Sequence, residues 1–175
     1  VTGQTDPTEG SRLDLIDTKK AHVVFVPSLR RPIRPWGDTV SFVKILKLLW
    51  QERPDLIHTH MAKAGTLGRL AGLLYNRFGP GKNPLQKAIL VHTFHGHVLD
   101  GYFSPGATRI FLSIEQWLAK RTDCLIAVSP AIRDALLGKG IGRAEQWRIV
   151  PLGLDLTRLT QLPIANGSSV LRCGL

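Results

Sequence analysis

The sequence has little of several features that mark common protein classes. It has only two cysteines, Cys124 and Cys173, and no CxxC pair, so a disulfide framework is not predicted and a reducing, cytoplasmic compartment is favoured. No signal peptide and no apolar run of about 18 residues is present, so no segment is predicted to span a membrane. Aromatic residues make up 7% of the chain and are not interleaved with the basic ones, which argues against nucleic-acid binding.

The motifs of several enzyme classes are also absent. There is no GxSxG elbow for a serine hydrolase, no HExxH for a zinc enzyme, and no P-loop or GxGxxG fingerprint for a nucleotide. The glycines at 138, 140 and 142 follow a predicted helix, which is the wrong context for dinucleotide binding. Apart from Asp100, no carboxylate clusters with the histidines. The sequence therefore favours neither a bound metal nor a cofactor.

Positive charge, in contrast, is abundant. The formal net charge is +10, from 23 Lys and Arg against 13 Asp and Glu, and predicts an anionic partner such as nucleic acid, a phosphorylated ligand or anionic lipid. Three arginines lie in a proline-rich loop at 27–36, and two lysines lie on a helix predicted at 38–52. This loop is either a solvated connection or a patch for phosphate or membrane. The basic candidates are Arg30, Arg31, Arg34, Lys44 and Lys47.

Apolar strands alternate with helical patterns along the chain. Strands are predicted at 22–27, 54–60, 88–91, 123–128 and 147–153. Helices are predicted at 38–52, from 61 to about 78, from 104 to about 121, and from 130 to an end between 138 and 142. We assigned Val43, Trp50, Ile110 and Trp117 to inward helix faces and Ser41 and Gln116 to outward ones. The alternation predicts an α/β fold, a Rossmann-like parallel sheet with helices on both faces.

Polar side chains and glycine follow several predicted strands. His58 and His60 end one strand and share a face if the strand is regular. His92, His95 and His97 end the next, and Ser129 follows the strand at 123–128. Any one of these histidines alone is best explained as a partner for backbone groups at a strand end. Their recurrence at several strand ends predicts a ligand site along one edge of the sheet.

The residues around these strand ends could also contact a ligand. Gly96 lets the backbone approach a ligand closely. Lys63, with the free N–H groups of the helix start, would suit an anion, although a plain surface lysine is an equally simple explanation. Gly65, Gly68 and Gly72 leave one side of that helix without side chains, which predicts close approach to another backbone.

Four segments, at 54–60, 92–97, 123–129 and 148–155, together resemble the N-terminal half of a glycosyltransferase family 4 enzyme. The resemblance implies a GT-B fold, in which two Rossmann-like domains enclose the active site, with metal-independent catalysis that retains anomeric configuration. His95 matches the histidine of the family's Thr-x-His motif, which is expected to face the donor sugar and stabilise the charge that develops at transfer. The resemblance assigns the remaining candidates to substrate binding: His58, His60, Lys63, Gly65, Thr66, Gly96, His97 and Ser129.

The match also implies an incomplete enzyme. The family's first strand and glycine-rich loop have no counterpart upstream of Val1, and no two of the four glutamates are eight residues apart, as the donor-binding pair of the family is. We therefore expect an acceptor-side domain at 1–160 and, at 161–175, a linker and the first strand of a donor-binding domain. This chain alone is expected to lack the nucleotide-sugar pocket and to be inactive.

The implied partners are a nucleotide-sugar, held mainly by the C-terminal domain, and a sugar or lipid-linked acceptor such as a cell-surface polysaccharide precursor. Family members that use lipid-linked acceptors dock on anionic membranes through this half, so the basic candidates above are expected to contact the inner face of the plasma membrane. No nucleic-acid partner is expected from the resemblance. Two alternatives stay open: a nucleotide-sugar 2-epimerase of GT-B architecture, and a non-enzymatic basic α/β domain that binds nucleic acid.

Overall fold

The computed structural model describes residues 1–4, 16–17, 19–80, 87–96 and 105–153. The linker and strand predicted at 161–175, together with His97 and Asp100, lie outside these residues. Strand and helix alternate as predicted, with one 3₁₀ turn at Ala144–Gln146 before the last strand. The order is β1 (Thr2–Gly3), β2 (Phe25–Val26), α1 (Pro35–Glu52), β3 (Leu56–His60), α2 (Ala62–Phe78), β4 (Ile89–Phe94), α3 (Pro105–Ala119), β5 (Cys124–Ala127), α4 (Pro130–Gly138) and β6 (Trp147–Ile149).

The strands pair in parallel throughout the described residues. β1 pairs with β2, and β3, β4, β5 and β6 form a second sheet in that order. Each strand in this second sheet pairs with the next strand in sequence. Because the strands are parallel, the chain returns to the same end of the sheet between them, through α2, through α3, and through α4 with the 3₁₀ turn. The predicted α/β class with a parallel sheet is confirmed.

Helix α2 lies very close to the sheet because glycines line the side that faces it. A Cβ at Gly65 would lie 2.3 Å from the ring of His92, and one at Gly72 would lie 2.7 Å from Leu90. Gly68 is placed in the same way against Thr59, at 2.7 Å. The predicted close approach is confirmed, but its partners are side chains of β3 and β4 rather than another backbone.

Two apolar clusters form the core. The first joins the starts of β3 and β4 to α1 and α2, and the second joins β5 and β6 to α3 and α4. The fully buried residues of the second include Leu125, Leu136 and Ile141. None of the described helices combines the length and apolar content needed to cross a bilayer.

Strand register separates the two faces of the larger sheet. Thr59 pairs with His92 and His92 with Leu125, so these side chains point to one face, and the clusters with α1, α2, α3 and α4 lie on it. The opposite face carries Leu56 and Ile89, which are 53% and 52% exposed. On the same face Val91 and Thr93 are 8% and 5% exposed, so this face is open at the starts of β3 and β4 and covered further along β4.

Several predicted helix faces were wrong in detail. Val43 and Trp50 on α1 are 55% and 41% exposed, and Ile110 and Trp117 on α3 are 63% and 45% exposed. Each helix carries more apolar residues than one packing stripe can cover. On α1 the buried stripe instead includes Ser41, whose Oγ donates to Gly37 O at 2.8 Å and lies 2.9 Å from Ser28 Oγ. The prediction was also wrong for Gln116 on α3, which was assigned to the outward face. Its Nε2 donates to Lys139 O at 2.8 Å.

Helix α1 also begins earlier than predicted, at Pro35 rather than Asp38. Proline suits the first helical position because the missing N–H would be unsatisfied there anyway. Asp38 lies in the first turn, where its Oδ2 accepts from Arg34 N at 3.0 Å. A carboxylate at a helix start also complements the positive end of the helix dipole.

Candidate functional site

The strand ends meet at one edge of the larger sheet, as expected for parallel strands. His60 pairs with Thr93 at the end of β3, and Phe94 pairs with Ala127 at the end of β5. His95 follows the last residue of β4 directly, and Ser129 lies two residues after the end of β5. This edge therefore gathers side chains that are up to about seventy residues apart in the chain.

Three imidazoles form a row on the exposed side of this edge, which we call the histidine row: His58, His60 and His95. The ring centroids of His58 and His60 are 4.3 Å apart, and those of His60 and His95 are 5.3 Å apart. His60 Nδ1 lies 3.0 Å from His95 Nε2, within hydrogen-bond distance. At the other end of the row, His58 Nε2 lies 2.7 Å from Thr93 Oγ1. All three histidine side chains are exposed, so a ligand can reach the row.

The surroundings of His58 and His60 favour neutral rings at these two positions. Partial burial, and then the charge of His95, lower the pKa of His58 below its usual 6.5. The pKa of His60 is lowered by partial burial and then by His58 and His95. A neutral imidazole carries one donor and one acceptor nitrogen, so at pH 7 His58 and His60 can form hydrogen bonds of both kinds.

His92, on the opposite face, is in a different position. It is 1% exposed, its Nδ1 lies 2.8 Å from Thr59 Oγ1, and its ring meets Phe94 edge-on at 4.5 Å. Burial, followed by the nearby charge of Arg69 and the histidine row, lowers the pKa of His92 to about 2. This histidine is therefore neutral at any physiological pH.

A buried ion pair lies behind His92. Arg69 is fully buried on α2 and donates from Nη2 to both carboxylate oxygens of Glu115 on α3, at 2.7 Å each. Its Nε donates to Gly65 O at 3.1 Å, while Nη1 is buried without a recorded partner. The sequence analysis missed this pair. The available signal was Arg69 itself, a charged residue within the glycine-lined side of a helix predicted to lie against the sheet.

A pocket opens beside the row and contains about 460 Å³ of empty space, including open solvent at its mouth. Gly96 also lines it, and among the described residues other than its chain neighbours nothing lies within 4 Å of the position that a Cβ would take. Met61, just before α2, has a positive φ of 67° and lines the same pocket. The lining residues are Met61, Ala62, His92, Thr93, Phe94, His95, Gly96, Glu115 and Leu136.

The remaining predicted substrate-binding residues have local partners. Lys63 forms an ion pair with Asp38 and donates to Pro32 O at 2.5 Å, so its ammonium ties α2 to the basic loop. Thr66 Oγ1 donates to Ala62 O within α2, and Gly65 lies behind His92. Ser129 caps α4 as the sequence indicated, with Oγ accepting from Ile132 N at 3.3 Å. His97 lies outside the described residues.

The basic candidates lie on the surface near the start of α1. Arg30, Arg31, Arg34, Lys44 and Lys47 are all exposed. Two large apolar side chains lie among them: Ile33 is 55% exposed and Trp36 is 82% exposed. Arg30 Nε donates to Pro27 O at 3.3 Å, which stiffens the loop locally. In the described part of the chain, no three His, Cys, Asp or Glu side chains are grouped as a metal ion would need.

Two curated bacterial proteins are similar to this chain over most of its length. The UDP-Gal:alpha-D-GlcNAc-diphosphoundecaprenol alpha-1,3-galactosyltransferase of Escherichia coli is 28% identical over 149 residues, covering 85% of this chain and 36% of that protein. The capsular polysaccharide biosynthesis glycosyltransferase CapM of Staphylococcus aureus is 21% identical over 146 residues, covering 83% of this chain and 35% of that protein. The chain thus spans about a third of the length of these relatives. Both are named glycosyltransferases, which favours a transferase over the epimerase and nucleic-acid alternatives.

A solved structure is also similar to the fold. The crystal structure of Anabaena Alr3699/HepE in complex with UDP matches with a TM-score of 0.53 and 22% identity, covering 80% of this chain and 34% of that one. At this identity the likeness concerns the fold, and it agrees with the Rossmann-like half of a GT-B protein predicted from the sequence. The family model described as Glycosyltransferase Family 4 matches residues 1–158, and the chain therefore belongs to this family.

Proposed function

We propose that the protein carrying this chain transfers a sugar from a nucleotide-sugar donor to a lipid-linked or cell-surface polysaccharide acceptor, with retention of anomeric configuration. The observation that carries the proposal is the exposed histidine row, with His95 at the carboxyl edge of a parallel sheet and beside a pocket. Family membership and the transferase activities named for the two relatives support it. In this proposal residues 1–160 form the acceptor-side domain, and 161–175 lead into a donor-binding domain.

The site residues have the following roles in this proposal. The imidazole of His95 faces the donor sugar and stabilises charge that develops as the bond to the nucleotide diphosphate breaks. The open backbone at Gly96 lets a sugar ring approach the strand end closely. His58, Lys63, Thr66 and Ser129 are on the acceptor side in this proposal, and His97 is assigned there from the sequence alone. Gly65, which was predicted to bind substrate, is buried against His92 and is given no contact with the acceptor. The nucleotide is held mainly outside this chain.

The names of the similar proteins indicate which substrates to test first. The Escherichia coli relative is named for UDP-galactose and a GlcNAc-diphosphoundecaprenol acceptor, and HepE was crystallised with UDP. A UDP-sugar donor and an undecaprenyl-diphosphate-linked acceptor are therefore the first probes to test. The assay measures release of UDP and the anomeric configuration of the product by NMR.

His95→Ala should lower kcat by about 10²–10³-fold, the usual effect of removing one group that stabilises transition-state charge. His22→Ala is a matched control, since His22 is an exposed histidine that precedes β2, away from the row. An inverted product would overturn retention. Activity of His95→Ala equal to that of wild type would overturn the role of His95.

Binding to an anionic membrane is the second part of the proposal. Three exposed arginines lie in the same loop as Ile33, which ends at Trp36, and two exposed lysines follow on α1. Cationic side chains with an exposed indole suit the interface of an anionic bilayer. Co-sedimentation should be strong with phosphatidylglycerol vesicles and weak with phosphatidylcholine vesicles. The triple change Arg30→Glu, Arg31→Glu, Arg34→Glu should abolish the difference, whereas the same change at the distant exposed Arg143 should leave it intact. Equal binding to both vesicle types would contradict an electrostatic contact.

A further inference from the structure

We propose that His60 is a positioning residue for His95. His60 Nδ1 accepts a hydrogen bond from Nε2–H of His95 and so keeps the Nδ1 of His95 as a bare lone pair at the pocket rim. The inference deepens the proposed function and rests on it, because it concerns how His95 is prepared for its role. The resemblance assigns His60 to substrate binding, and neither the family assignment nor the relatives give it a positioning role.

The geometry of the pair is fixed by two neighbouring strands. His60 is the last residue of β3 and pairs in register with Thr93 of β4, two residues before His95. Their facing nitrogens are 3.0 Å apart, a typical distance for N–H···N hydrogen bonding. In a hydrogen bond between two imidazole nitrogens, one ring donates its N–H and the other accepts with a lone pair.

The direction of the bond follows from the chemistry required of His95. If His60 donated, His95 would carry its own proton on Nδ1 and present an N–H dipole toward positive charge developing on the donor sugar. If His95 donates from Nε2, its Nδ1 lone pair is available for that charge or for a sugar hydroxyl. Within the described part of the chain no group bonds to His95 Nδ1, and the ring lines the pocket.

His58 supports His60 in this arrangement. Its ring lies 4.3 Å from that of His60, and its Nε2 is held 2.7 Å from Thr93 Oγ1, which belongs to a 5% exposed residue of β4. This anchoring restricts the rotation of the His60 ring from one side, while His95 restricts it from the other. Fixing an exposed ring in one orientation costs side-chain entropy. Contacts on both sides of His60 already restrict its ring, so less entropy is lost when it positions His95.

The direct test is NMR on the protein labelled with ¹⁵N at histidine. Long-range proton–nitrogen spectra should show His95 protonated at Nε2 and bare at Nδ1, and His60 bare at Nδ1. A scalar coupling across the hydrogen bond should join His95 Nε2 to His60 Nδ1. His60→Phe should abolish that coupling, and His22→Phe should leave it in place. A missing coupling in the wild type, or the opposite tautomers, would overturn the proposal whatever the substrate is.

The functional arm compares two amides at position 60. Asparagine places its oxygen near the position of Nδ1, whereas glutamine reaches the position of Nε2, so only His60→Asn can accept from His95. With UDP-galactose and GlcNAc-diphosphoundecaprenol as probes, His60→Gln should lower kcat about tenfold, the value of one lost hydrogen bond, with KM little changed. His60→Asn should recover most of that loss. The same pair of changes at His22 serves as control.

The outcomes separate the two proposals. If His95→Ala is inactive while His60→Gln and His60→Asn both match wild type, the positioning role fails and the proposed function stands. If His95→Ala keeps full activity, the proposed role of His95 fails. Equal losses in His60→Gln and His60→Asn would show that the ring's bulk matters rather than its Nδ1 acceptor, and would also overturn the positioning role.

Discussion

Both faces of β3 and β4 carry histidines, but the histidines on the two faces have different surroundings. On the helix-covered face, His92 is 1% exposed, bonds to Thr59 and lies near a buried ion pair. On the other face, His60 is exposed and bonds only at the edge of the sheet, to His95. Because side chains alternate along a strand, a single residue step separates a structural environment from an accessible one.

The comparison shows that accessibility, rather than the number of histidines, identifies the candidate chemistry. Burial and the charge of Arg69 lower the pKa of His92 to about 2, so its ring stays neutral and takes up no proton near pH 7. The pKa values of His58 and His60 are lowered too, but both side chains are exposed. His95 beside them is exposed and lines the pocket. The helix-covered face should therefore determine stability, and the exposed face should determine activity.

The largest expected effect is on the covered face, at the buried ion pair. Glu115→Ala leaves the guanidinium of Arg69 buried without its counter-charge, which should lower the free energy of unfolding by about 3–5 kcal/mol. Urea denaturation at pH 7 measures this. The double change Arg69→Met with Glu115→Leu should recover most of the loss, since no charge is then left unpaired.

Glu145 offers a matched control, because it is an exposed glutamate in the 3₁₀ turn before β6. Glu145→Ala should change the free energy of unfolding by less than about 0.5 kcal/mol. Equal losses for Glu115→Ala and Glu145→Ala would show that the pair adds nothing to the covered face.

A smaller effect is expected from pH, through His92. The pKa of His92 is about 2 in the folded state and near 6.5 in the unfolded state. Below pH 6.5 the unfolded state therefore binds a proton at His92 and the folded state does not. Stability from this group is therefore complete above pH 6.5 and declines as pH falls, by about 2 kcal/mol between pH 7 and pH 5. The free energy of unfolding at the two pH values, from urea denaturation, checks the slope.

His92→Asn isolates this contribution, because asparagine keeps a polar atom near Thr59 Oγ1 but does not titrate. Its pH dependence should be weaker than that of the wild type by about the same 2 kcal/mol. His22→Asn removes an exposed histidine and should keep the slope of the wild type. An unchanged slope in His92→Asn would mean that His92 takes up a proton in the folded protein.

Much of the exposed face could be predicted from the sequence. The alternation in β3 places His58 and His60 on one side, and apolar runs followed by polar residues locate the strand ends. Ser129-Pro130 marks the start of α4 because a serine cap and a proline at the next position are a local signal. These features depend on neighbouring residues only.

The covered face could not be predicted in the same way. Arg69 and Glu115 are 46 positions apart, and periodicity shows at most that each lies on a helix. On α1, Trp50 was expected to be inward and Ser41 outward, but Trp50 is 41% exposed and Ser41 is buried. Only the packing of α1 on its neighbours decides this. The 3.0 Å separation of His60 and His95 likewise depends on the register of β3 and β4, which no local pattern fixes.

The smallest effect on stability is expected in the histidine row. His60→Asn should change the free energy of unfolding by less than about 0.5 kcal/mol, because the side chain is exposed and water can replace a lost bond. In the same urea series at pH 7, His92→Asn should lose more, since it leaves a cavity between Gly65 and Phe94. If His60→Asn were the more costly change, the row would be a structural element of the sheet edge. The exposed face would then stabilise the fold as the covered one does, and its histidines would no longer stand out as groups held ready for a substrate.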